Sequence, residues 1–137
     1  MPEEMLKVLV ADDQPEIREV FEASILAEGH LAVLAKNGRE AVDIARRLPP
    51  DVVFLDVKMP VLDGFGVLEE LQKVSPQANI VMMSAAPEVE TITTAIKKGA
   101  FTFLLKPFDM SVIRSILNEV LQQKADVFLR IAPDKQL

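Results

Sequence analysis

Val52-Val53-Phe54-Leu55-Asp56-Val57-Lys58-Met59-Pro60 decides how the chain is read. Four consecutive apolar residues without alternation fit a strand covered on both faces, as in a parallel sheet packed between helices. An acid closes the run at Asp56, and Met59-Pro60 marks a turn beyond it. The same sentence recurs along the chain. Short apolar runs occupy Leu6 to Ala11, Leu31 to Ala35, Val52 to Leu55, Ile80 to Met83 and Phe101 to Leu105.

Between these runs lie segments with apolar residues three and four apart, which predict helices. They are Ile17, Phe21 and Ile25; Ala41, Ala45 and Leu48; Val67, Leu68 and Leu71; Ile92, Ala95 and Ile96; and Ile113, Ile116, Leu117, Val120 and Leu121. Gly29 and Gly99 stand where the first and fourth helices should stop, Pro49-Pro50 ends the second, and Asp109 is placed to cap the fifth. Five strand-helix repeats argue for βαβ units and an α/β fold with a parallel sheet. Residues 1–123 form the expected domain. The 124–137 tail, where Val127, Phe128 and Ile131 prolong the last apolar spacing, reads either as a segment folding back on the domain or as the start of a linker or dimerising helix.

Composition narrows the function classes. The chain has 137 residues, half of them hydrophobic and 26% charged, enough for one globular core. Fifteen basic against 21 acidic residues leave a net charge of -6, which disfavours direct nucleic-acid binding. No cysteine is present, so disulfides, thiolate zinc sites and thiol catalysis are excluded, and the lone His30 rules out multi-histidine metal sites. No segment reaches the roughly 20 apolar residues of a membrane span, and the start of the chain lacks a secretory pattern. A cytoplasmic protein is expected.

In an open parallel sheet, ligands bind beyond the carboxyl ends of the strands. Here the first run ends at Asp12-Asp13, the third at Asp56, the fourth at Ser84 and the fifth at Lys106-Pro107. Singly, each has a plain explanation: Asp12-Asp13 caps the first helix, Asp56 opens a turn, Ser84 is a turn hydroxyl and Lys106 a solvated charge. Jointly, three carboxylates, a hydroxyl and a lysine at one edge make a site for a cation and a phosphate. Neighbouring carboxylates repel unless a cation or protons compensate them. Mg²⁺, which takes one or two carboxylates plus phosphate oxygen, suits this set better than Ca²⁺ does.

These residues resemble the response-regulator receiver domains of bacterial two-component systems. The similarity runs from about Leu6 to Gln123, through Val8-Leu-Val-Ala-Asp-Asp13, Phe54 to Pro60 with Asp63-Gly64, Val81 to Ala86, Gly99-Ala100 and Phe103-Leu-Leu-Lys-Pro107. The resemblance implies a flavodoxin-like doubly wound fold with strand order 2-1-3-4-5. It implies that Asp56 accepts phosphate from a sensor histidine kinase or histidine phosphotransfer protein. Mg²⁺ would be held by Asp13, Asp56 and the backbone carbonyl of Lys58, with Asp12 assisting. Lys106 would pair with the phosphoryl group, Ser84 would swing to hydrogen-bond it, and Phe103 would pack inward as an aromatic switch. The Lys106-Pro107 bond is expected to be cis. Phosphorylation would shift the surface of helix 4, strand 5 and helix 5 to control a downstream protein or output domain, and could drive homodimerisation. Such a domain is a signalling switch, not an enzyme.

Lys58 and Ala86, each two residues beyond a key group, offer no carboxylate or amide to orient an attacking water, so slow self-dephosphorylation is expected. Two rival readings differ at defined points. A haloacid-dehalogenase-like phosphatase needs a second acid two places after its nucleophile, where this chain has Lys58. A phosphorylation-independent interaction module would not need the full set of Asp12, Asp13, Asp56, Ser84 and Lys106.

Overall fold

The computed structural model describes residues 5–131, with side chains to Val127. Ten elements alternate as the apolar runs require: β1 (Lys7–Ala11), α1 (Pro15–Ala27), β2 (Leu31–Ala35), α2 (Gly38–Arg47), β3 (Val52–Asp56), α3 (Gly64–Val74), β4 (Asn79–Ser84), α4 (Val89–Lys97), β5 (Thr102–Leu105) and α5 (Met110–Ile131). All neighbouring strands pair in parallel, in the order β2-β1-β3-β4-β5. Strand bounds differ from the expected runs by a residue or so at either end; β3 takes in Asp56 and β4 takes in Ser84, so both polar groups are the last residues of their strands.

Strand alternation sorts the core into two layers. Leu9, Ala11, Val53, Leu55, Ile80 and Met82 face α2, α3 and α4, where Ala41, Val67, Leu71 and Ala95 cover them. Val8, Val10, Val52, Phe54, Val81 and Met83 face α1 and α5, meeting Phe21, Ile25, Ile113 and Leu117. Each fully buried Val, Leu, Ile, Phe or Met side chain among them stabilises the fold by roughly 1.5–3 kcal/mol. The central strand β3 is buried along its whole length, whereas the edge strands β2 and β5 are only half-buried. Continuous apolarity therefore marks centre and edge alike.

The punctuation behaves as read, with additions. Gly29 and Gly99 take φ of 84° and 105° after α1 and α4. Asp109 Oδ1 accepts from the Ser111 N–H at the start of α5. Two further caps are Asn37, accepting from the Glu40 N–H at 2.8 Å, and Asp63, accepting from the Gly66 N–H at 2.9 Å. One helix departs from its pattern: Ile96, expected to face inward, is 48% exposed, and Ala95 is the sole buried residue of α4. At the far end α5 runs without interruption past Gln123, and Lys124 Nζ pairs with Asp51 Oδ1 at 3.1 Å beneath the sheet. Residues 132–137 of the expected tail, and the side chains of Phe128 and Ile131, lie outside the described residues. Among the described residues no helix is long and apolar enough to cross a membrane.

Candidate functional site

Val8 and Val10 of β1, like Val52 and Phe54 of β3, face α1 and α5. Continuing the two-residue alternation one step beyond each strand's last apolar residue of that face brings Asp12 and Asp56 to the same side of the sheet edge. The adjacent register of β1 and β3, with Ala11 opposite Leu55, sets them side by side. Asp13 follows directly, and one carboxylate oxygen from each of Asp12, Asp13 and Asp56 lies within 4.8 Å of the others. Asp12 is fully buried, Asp56 is buried, and Asp13 is exposed, so the cluster opens to solvent through Asp13.

Lys106 reaches this cluster from the end of β5. Its Nζ donates to Asp12 Oδ2 at 2.7 Å and to Asp56 Oδ2 at 3.3 Å, across 94 and 50 residues of sequence. The plain explanation of Lys106 as a solvated charge is thus wrong, since its side chain is only 13% exposed. Asp12 does not cap α1 either. The N-cap is Gln14, without a side-chain cap, and Asp12 Oδ1 instead accepts from the Gln14 N–H at 2.9 Å. Asp56 Oδ1 accepts from the Lys58 N–H at 3.2 Å, turning the chain as it leaves the strand. Ser84 ends the neighbouring strand, and its carbonyl accepts from the Lys106 N–H at 2.9 Å, tying the hydroxyl-bearing residue to the lysine. The Lys106-Pro107 peptide is cis. Phe103 is half-buried against the α2–α4 layer of the core.

The floor of the site is apolar. Phe21 stacks obliquely on Phe54, two residues before Asp56, with centroids 4.9 Å apart, and meets Phe108, two residues after Lys106, edge-on at 5.7 Å. Burial at the strand end raises the Asp56 carboxyl above its ordinary 3.8, opposed by the charge of Lys106 and reinforced by that of Asp12. The same burial pulls the Lys106 ammonium down, but its hydrogen bond and charge contact with Asp12, and then Asp56, outweigh it, and the net direction is up. Three carboxylates facing one lysine leave excess negative charge in a half-buried pocket. Oxygen donors with uncompensated charge fit a hard divalent cation, and Asp13, exposed at the mouth, is open to one that keeps part of its water shell.

One member of this neighbourhood carries no signal in the chain's spacing. Arg18, in the first turns of α1, directs Nη1 at the backbone carbonyl of Asp12, 2.7 Å away. A helix-borne arginine one turn from an acidic pair reads as a surface charge until the fold folds it back.

Comparison with known proteins agrees with this geometry. A family model described as "Response regulator receiver domain" matches residues 8–118. The chemotaxis protein CheY of Thermotoga maritima is 37% identical over 115 residues, covering 83% of this chain and 96% of CheY. Regulatory protein AtoC of Escherichia coli is 33% identical over 116 residues, 85% of this chain but 25% of AtoC. Likewise the chain spans just under half the length of two further curated relatives it matches. Among solved structures, the Vibrio cholerae chemotaxis protein CheY4 superposes with a TM-score of 0.79 at 29% identity, covering 85% of this chain and 99% of that one.

Proposed function

We propose, since this chain belongs to the response regulator receiver domain family, the phosphorylation-switch modules of two-component signalling, that Asp56 is its phosphate acceptor. Asp12, Asp13, Asp56 and the backbone carbonyl of Lys58 would hold Mg²⁺. The observation that carries this reading is the bridge of Lys106 Nζ between Asp12 and Asp56 inside a cluster of three carboxylates. Mg²⁺, when bound, neutralises charge on the carboxylates and on the oxygens of the phosphoryl group in transfer.

The chain's own residues supply the rest. An Asp56 carboxylate oxygen attacks phosphorus of a phosphohistidine on a sensor kinase or phosphotransfer protein; the P–N bond breaks and its electron pair leaves on the imidazole. Asp56 is buried at 7% exposure, which keeps that carboxylate short of water, and so available as a nucleophile. Lys106, already poised between two carboxylates, turns its ammonium to a phosphoryl oxygen. Ser84 donates its hydroxyl to another. The pull on Ser84 passes into the loop before α4, with Phe103 as the packing element that follows it. Val89 and Ile96 of α4 and Leu105 of β5, exposed by 76%, 48% and 55%, are apolar side chains on the elements that a downstream protein or output domain would read.

Incubation with Mg²⁺ and acetyl phosphate or phosphoramidate, followed by intact-mass measurement, tests the assignment. A gain of one phosphoryl group in the wild type and none in Asp56→Asn is expected; an unmodified wild type would sink it. Lys58 and Ala86, two residues beyond Asp56 and Ser84, carry neither carboxylate nor amide to orient a water, so the phosphoryl group should be lost slowly. A lifetime of seconds for the purified phosphoprotein would contradict that.

A further inference from the structure

Every polar atom of Asp12 is engaged. Its N–H donates to the Ala35 carbonyl at 3.1 Å, Oδ1 accepts from the Gln14 N–H, Oδ2 accepts from Lys106, and its own carbonyl accepts from Arg18 Nη1 at 2.7 Å. Arg18 also holds the other side of the turn, because its backbone N–H, with that of Ile17, donates to the Gln14 carbonyl, at 3.2 and 3.1 Å. Asp13 lies between these two anchored residues. The helix start provides little other restraint there: Gln14 gives no side-chain cap, and Pro15 at the first helical position has no N–H to contribute.

The direction in which a side chain leaves the backbone is set by the peptide planes on either side of it. Without a donor on the Asp12 carbonyl, a net change in the Asp12 ψ or the Asp13 φ turns the Asp12-Asp13 peptide and re-aims the exposed Asp13 carboxylate relative to Asp56 at little cost. With the carbonyl held by a charged donor, that rotation breaks a strong hydrogen bond. We infer that Arg18 is a positioning residue for the divalent-cation site, holding Asp13 in line with Asp12 and Asp56 through the Asp12 carbonyl. The inference rests on the magnesium reading of this cluster.

The sign of the effect separates positioning from charge. Arg18 is a cation beside a cation site, so a purely electrostatic role predicts tighter Mg²⁺ binding when it is removed. A positioning role predicts weaker binding, because supports behind a metal's direct ligands typically contribute about 10–100-fold in affinity. Lysine can donate to one carbonyl and keeps the charge, whereas glutamine is too short to reach from the same position.

Mg²⁺ titration of the metal-free chain, followed by calorimetry or by backbone amide shifts of the residues around Asp56, reads this directly. Arg18→Ala and Arg18→Gln should each raise the dissociation constant about tenfold, and Arg18→Lys should recover most of the loss. Thermal unfolding without metal shows that each variant titrated is folded, and the two truncations guard against one of them failing to fold. Unchanged or tighter binding in the folded truncations would overturn the inference alone. A wild type that binds no Mg²⁺ at millimolar concentration would overturn the magnesium reading and this inference with it.

Discussion

His30 sits at the opposite end of the sheet from the acidic cluster, buried, with Nδ1 accepting a hydrogen bond from the Leu6 N–H at 3.0 Å. It can accept only while neutral. Burial holds its pKa below the ordinary 6.5, against the opposing charges of Glu28 and Asp51. A depressed folded-state value means the unfolded chain takes up the proton first, so the stability contributed by His30 is present above 6.5 and lost as pH falls through the folded value. Urea denaturation at a series of pH values should show this loss, and His30→Gln should flatten it. His30→Leu should cost about 1–3 kcal/mol at neutral pH by leaving the Leu6 N–H buried without a partner. Val61 carries a different tension. It adopts φ of 73° in a tight turn closed by Leu62 N–H to the Pro60 carbonyl at 2.8 Å, with its side chain 78% exposed. A β-branched residue in the left-handed region costs about 1–3 kcal/mol, and the greater unfolded-state freedom of glycine returns part of that. Val61→Gly should therefore raise the unfolding free energy by roughly 1 kcal/mol at most, read as a higher urea midpoint.

Among the elements, α2 and α4 stand at opposite ends of the scale of definition. Asn37 caps α2 by accepting from the Glu40 N–H, and Glu40 Oε1 accepts from the Lys36 N–H just before the cap, while Arg46 and Arg47 close its C-terminus. By contrast α4 starts at Glu88 without a side-chain cap, contains Thr91, Thr93 and Thr94, and buries only Ala95. Its anchorage is at the other end, where Gln72 Nε2 of α3 donates to the Lys98 carbonyl and Lys98 Nζ pairs with Glu69 at 3.2 Å. A helix fastened at its C-terminus and loosely started at its N-terminus pivots about the fastened end and moves most at the end nearer Ser84, which suits the proposed response to phosphorylation. Amide exchange in the N-terminal half of α4 should be faster than in α2, and Gln72→Ala should extend the fast exchange to residues 97–100. Uniform protection along α4 would contradict this.

Across the whole molecule, the site is coupled to folding because its carboxylates and Lys106 come together only when β1, β3 and β5 are assembled. A cation that binds this arrangement and not the unfolded chain must stabilise it by mass action. At ten times its dissociation constant, Mg²⁺ should add about 1.4 kcal/mol to the unfolding free energy, and Asp13→Asn should remove most of that gain. Calorimetric or urea unfolding with and without Mg²⁺ checks this; equal stability in both conditions would mean no cation binds in the folded state. Gly64 belongs to the same assembly. A Cβ there would meet the Asp56 carbonyl oxygen and the Val57 Cα at 2.7 Å, both backbone atoms, so α3 can lie this close to the end of β3 only with glycine at that position. Gly64→Ala should cost about 1–3 kcal/mol and displace the strand end that carries Asp56.

By itself the sequence determined the five strand-helix units, their helix stops, and the gathering of Asp12, Asp13, Asp56, Ser84 and Lys106 at strand ends. It could do so because periodicity and turn chemistry are local, and because parallel strands place all their carboxyl ends along one edge. The family motifs added the strand order and the roles expected of each group. Tertiary structure alone decided that Lys106 sits closer to Asp12 than to Asp56, that Arg18 turns back to the Asp12 carbonyl, that His30 serves Leu6, and that Ile96 faces out. Those outcomes depend on strand register and on how each helix is rotated and set against the sheet, even for Arg18, only six residues beyond Asp12, and no spacing within a single segment records them.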